Sequence, residues 1–128
     1  MGALASFFAT RSLNSEQWRR QKIEKQILAR EQLYSDFMAE AARLALTSID
    51  AKAEKAGEFT ALYSLMSRIR LIATLPVVTA AEEVTRHTTY LHRSDKAKFT
   101  THEADATRTE DSFAAICRRE LDELREKA

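Results

Sequence analysis

The chain has 128 residues, the size of one domain, with 45% hydrophobic and 30% charged residues and a formal net charge of +1. It holds two glycines, one proline and one cysteine, where average usage would give roughly nine glycines and roughly six prolines. So few turn-makers exclude a sandwich, a barrel or a Gly-rich phosphate loop; the lone cysteine excludes an intrachain disulfide, and the balanced charge gives no overall pull toward nucleic acid.

What remains is helix, and its elements are read from periodicity and caps. Asn14 or Ser15, with Gln17 in capping-box position, predicts a helix start, and no Gly or Pro follows until Gly57. Ile23, Ile27, Tyr34, Phe37, Met38, Ala41, Leu44, Ala45 and Ile49 recur at steps of three and four. They predict one long helix over about 15–56, about 60 Å from end to end, with Gly57 as the C′ residue able to take positive φ. A second helix is predicted over about 58–74, with Phe59, Leu62, Leu65, Met66, Ile69, Ile72 and Ala73 inward. Pro76 stops it, and Thr74 is placed to cap a third helix over about 76–92, where proline fits the first turn. Its inward face is Val77, Ala80, Ala81, Val84, Thr88 and Leu91. The polar stretch 93–109 reads as a loop. Thr107 or Thr109 then opens a last helix over about 109–126, with Phe113, Ile116, Cys117, Leu121 and Leu124 inward.

The expected fold is therefore all-α and four-helix bundle-like: one long N-terminal helix packed by three shorter ones, in a single helical domain over 15–128. Residues 1–14 are read as a flexible or membrane-proximal N-terminus. The long helix outruns its neighbours. Its second half, from Leu33 to Ile49, is the denser apolar stripe and is expected to be buried. The first half is charged and is expected to pair with a second copy or form a stalk. Arg30 interrupts a would-be coiled-coil seam there.

The apolar run Ala3 to Ala9 is too short to cross a bilayer, which needs about twenty residues. It reads as the remnant of a membrane helix lying upstream, and Met1-Gly2 with Ser6 also fits the short myristoylation pattern. Arg11, Arg19, Arg20, Lys22, Lys25 and Arg30 stand against Glu16 and Glu24 over residues 11–30. Trp18, Arg19, Arg20, Lys22 and Lys25 have the basic and aromatic character of a segment just inside a membrane. An ordinary solvated helix face has the same composition.

Glu83 and His87 lie four apart on one helix face, and with His92 they are the nearest approach to a metal-ligand set. Neither the Glu-x-x-His pair of di-iron bundles nor His-Glu-x-x-His occurs. Arg86, Arg93, Lys96 and Lys98 form a basic cluster, diluted by Glu82, Glu83 and Asp95, which does not favour nucleic acid. Cys117 reads as a small core residue. No cofactor is expected, and no catalytic constellation is visible, so the sequence favours a non-enzymatic module over a metal- or small-ligand-binding bundle.

Residues 30–42, Arg-Glu-Gln-Leu-Tyr-Ser-Asp-Phe-Met-Ala-Glu-Ala-Ala, resemble a pattern in uncharacterised bacterial proteins. In those, a short N-terminal membrane helix precedes a basic segment and then a Leu-Tyr-x-x-Phe-Leu-x-x-Ala helix. Leu65 to Val84, and Phe113 with Ile116 and Arg118-Arg119-Glu120-Leu121, are similar to the rest of that pattern. The resemblance spans about residues 16–124 and consists of core positions, not of a site. It implies an all-α cytoplasmic module tethered to the inner membrane, of unknown activity; the length of the first helix left without a neighbour separately points to a second copy or another helical protein as partner. The N-terminus departs from the pattern in lacking the full apolar span.

Overall fold

The computed structural model describes residues 2–47, 57, 59–93 and 99–127, and the side-chain surroundings of 13–46, 57, 59–91 and 108–127. It contains four helices: α1 (Gly2–Thr47), α2 (Thr60–Ile72), α3 (Leu75–Arg93) and α4 (Phe99–Glu126). No strand occurs among the described residues. The expected class and element order hold, and two boundaries differ.

Helix α1 starts at Gly2, not at Ser15. Asn14 and Ser15 satisfy a helix end where one exists, but nothing between Gly2 and Ser15 breaks a helix. Likewise α4 starts at Phe99, not near Thr109. The stretch before Thr109 was expected to be a loop because it is polar. Polarity reports exposure rather than backbone conformation, and Ala104, Ala106 and Glu103 are good helix formers with no Gly or Pro among them. The expected continuation of α1 over residues 48–56 lies outside the described residues.

The breakers act as their chemistry requires. Gly57 has φ +103°, a conformation that a Cβ would strain. Its carbonyl accepts from the Thr60 N–H at 3.1 Å, which turns the chain into α2. Pro76 lies in the first turn of α3, and the Thr74 carbonyl accepts the Val78 N–H at 3.0 Å.

The helices run up and down. Arg125 of α4 reaches Glu31 of α1 at 2.8 Å, while Ala45 lies with Thr109 and Glu110 around one small cavity, so α1 and α4 are antiparallel. Every helix pair packs together except α2 with α4, which make no contact among the described residues. Helices α1 and α3 thus meet across the centre, with α2 on one side and α4 on the other. Phe37, Ala41 and Leu44 of α1, Leu62, Met66 and Ile69 of α2, Val77 and Ala81 of α3, and Phe113 of α4 are all 0% exposed. The Phe113 ring lies 5.3 Å from that of Phe37 and meets Tyr34 edge-on at 6.1 Å. Ile72, expected inward, is 43% exposed at the end of α2.

The length mismatch has a definite place. From residue 13 onward, Ile27 is the first buried residue of α1, and residues 13–26 are exposed except for half-buried Ile23. Helix α4 stops at Glu126, level with this point. Residues 13–26 of α1 thus project from the bundle as a continuous helical segment about 21 Å long.

Candidate functional site

The root of this projecting segment is held by a buried carboxylate. Glu120 continues the inward stripe of α4 and is 4% exposed. Its Oε1 accepts from Arg30 Nη1 at 2.8 Å and from the Tyr34 hydroxyl at 2.5 Å. Its Oε2 accepts from the Thr74 N–H at 2.8 Å and the Thr74 hydroxyl at 2.6 Å. One carboxylate therefore joins α1, α4 and the corner between α2 and α3, at the N-terminal end of the α3 dipole where negative charge is favoured. The Thr74 hydroxyl, expected as a helix cap, donates its proton to Glu120.

Burial pushes the Glu120 carboxyl up. The hydrogen bonds from the Thr74 hydroxyl, Tyr34, the Thr74 N–H and Arg30 outweigh it and hold the group below its usual value. Burial, the bond to Glu120 and its charge push the Tyr34 phenol well above its own. The arrangement is an ion held closed by its four donors. It offers neither a proton nor an open lone pair to a substrate, so the geometry suits a structural joint.

Cys117 lies one turn before Glu120 and is buried. Burial, and then the Glu120 charge, push its thiol up to about 12. The folded protein is therefore expected to leave a disulfide exchange reagent unreacted at pH 8, and to titrate one thiol on adding denaturant. Rapid labelling without denaturant would contradict the burial.

The sequence-predicted metal candidates do not converge among the described residues. Glu83 is paired with Arg86 on the same helix. His87 borders a space of about 10 Å³ with Thr88 and Glu110, and no group of three possible ligands exists among the described residues. That space holds at most about one water. Burial, then Asp111, raise the Glu110 carboxyl, and His87 opposes the shift. The His92 side chain lies outside the described residues. In the basic cluster, Arg86 is exposed and engaged by Glu83, while the side chains of Arg93, Lys96 and Lys98 lie outside the described residues.

The membrane-proximal set is all exposed on the projecting segment, and it divides by face. At about 100° per residue, Trp18, Lys22 and Lys25 share one face, with Arg19 at its edge. Arg20 lies on the opposite face with Leu13, Glu16, Ile23 and Ile27. Trp18 is 67% exposed, and Lys22 Nζ stands 5.5 Å from its ring centre. At the root, Ile23, Ile27 and Leu28 with Glu24, Glu31 and Arg125 line an open cavity of about 390 Å³ where α4 ends. A larger groove of about 650 Å³ runs between α3 and α4 past Leu75, Pro76, Ala80 and Ile116.

No described helix is long and apolar enough to cross a membrane. Sequence reasoning noted Arg30 as a flaw in a seam and as one of a basic set, and did not connect it with Glu120. The available signal was an opposite charge on each of two apolar stripes, which become partners once the helices pack. Compared with known proteins, the chain matches no family model, no curated protein and no solved structure.

Proposed function

We propose that this chain is a non-enzymatic helical interaction module, that its projecting half of α1 is the contact surface, and that it works at the cytoplasmic face of a bacterial membrane. The observation that carries this reading is the continuation of α1 past Ile27 with the side chains of residues 13–26 exposed apart from half-buried Ile23. A solitary helix of this length gains little in water from propensity alone, so a surface that covers one of its faces stabilises it. The Trp18, Lys22 and Lys25 face supplies cations and an amphipathic ring suited to anionic headgroups, worth about 1 kcal/mol per basic residue near such a surface.

Trp18 is the only tryptophan and reports on this segment alone. Vesicles containing phosphatidylglycerol are expected to shift its emission to the blue and carry the protein into the pellet. Added salt, or Lys22→Glu with Lys25→Glu, should reverse both effects. A segment that neither binds such vesicles nor associates with any copy of itself would defeat the reading.

A further inference from the structure

We propose that the groove between α3 and α4 binds a free single-chain monocarboxylate, with its apolar tail along the seam and its carboxylate on Arg108. The groove shares no residue with the projecting segment of α1, so the site goes beyond the contact-surface reading and is tested apart from it.

The groove follows from two helices that meet through short side chains. Leu75 and Pro76 of α3 lie with Ile116 of α4 at one end, and Glu83 lies with Arg108 at the other. Between the ends stand Thr79, Ala80 and Ser112, whose short side chains leave a trough walled by the longer ones. From Ile116 to Arg108 the trough runs about 12 Å. Its volume of about 650 Å³ falls within the range of small-molecule sites, and its surface is mainly apolar. Leu75 is 76% exposed there, beside half-buried Ala80 and Ile116. A run of CH₂ groups laid along the seam would remove this surface from water.

Charge selects the head group. Glu83 is already engaged by Arg86. Arg108 is exposed and pairs with no carboxylate among the described residues. A guanidinium takes a carboxylate through two parallel hydrogen bonds. Glu83 at the same end of the groove opposes a second negative charge, so a monoanion suits the site better than a phosphate dianion. A cationic head group would meet the Arg108 charge, and a neutral one would forgo the ion pair.

Calorimetric titration with decanoate, kept below micelle formation, tests the site. One decanoate should bind per chain. Octanoate should bind about four- to sixteenfold more weakly, since each buried CH₂ contributes about two- to fourfold. Decyltrimethylammonium should bind about tenfold more weakly than decanoate or worse. Arg108→Glu should weaken decanoate by about tenfold or more, while Arg108→Lys keeps the charge and most of the affinity. Thr79→Phe and Ser112→Phe, both at exposed positions, should fill the trough and abolish binding without lowering the melting temperature. Arg108 is exposed as well, so its variants keep the test decisive if either phenylalanine disturbs the packing. No saturable binding up to about 1 mM decanoate, equal binding of the two head groups, or unchanged binding by Arg108→Glu would overturn the site. Pelleting of Ser112→Phe with phosphatidylglycerol vesicles should match that of wild type. Loss of vesicle and decanoate binding together in that variant would make the groove a bilayer contact and overturn the free-acid reading.

Discussion

Replacing Glu120 by alanine should lower the stability of the fold by about 3 kcal/mol or more, as expected when one member of a buried ion pair is removed. The loss is not that of one salt bridge. It leaves the Thr74 N–H, the Thr74 hydroxyl, the Tyr34 hydroxyl and the Arg30 guanidinium without their acceptor. Arg30 keeps 17% side-chain exposure and can turn to water, which places the effect toward the lower end of the range for buried pairs. Glu120→Gln is the sharper probe, because it keeps the shape and one acceptor oxygen but turns an N–H₂ toward donors. The pH dependence has a fixed sign. The folded carboxyl is held below its usual value, so the unfolded chain takes up the proton first as pH falls. The Glu120 contribution is thus fully present above about pH 5, where the unfolded carboxyl is ionised, and is lost as pH drops through the lower folded value. Urea unfolding of wild type and Glu120→Gln should differ by a constant amount from neutral pH down to about pH 5 and converge in stronger acid. A Glu120→Ala protein within about 1 kcal/mol of wild type would show that the joint carries no weight.

Phe113→Ala should cost about 3–5 kcal/mol. The ring is 0% exposed and is the point where α4 meets both Tyr34 and Phe37. Its removal leaves a cavity between helices that cannot close without moving α4 off α1. Phe113→Leu retains most of the apolar volume and should lose only about 1–2 kcal/mol. Denaturant midpoints at constant slope measure both. Equal losses for the two substitutions would mean that ring contact, rather than volume, sets the energy.

Helix class, order and inward faces were legible in the sequence because burial imposes a period on the order of apolar residues. Val77, Ala81, Val84, Thr88 and Leu91 on α3 are buried as their spacing predicts, and Gly57 and Pro76 lie at the turns. The starts of α1 and α4 were not legible. Asn14 and Thr109 have the chemistry of caps, but a capping residue inside a run of helix formers has no free backbone donors to satisfy. The buried joint was hidden for another reason. Arg30 and Glu120 are 90 positions apart, and a charge on an apolar stripe looks like an error until the opposite charge is packed against it. Glu83 and His87 share a helix face, and no third ligand joins them among the described residues, which leave out the His92 side chain. The exposed basic and aromatic residues were found by composition. Their division between two faces required the helix to be continuous through them.

The joint at Glu120 gives the projecting helix the mechanics of a cantilever. Arg30 and Tyr34 fix α1 where it leaves the bundle, and Glu120 ties that root to Thr74 at the corner of α2 and α3. A load applied at the level of Leu13 would act through a lever arm of about 21 Å. The torque would reach the α2–α3 corner through Arg30, Tyr34 and Glu120, of which Tyr34 also packs on Phe113 in the core.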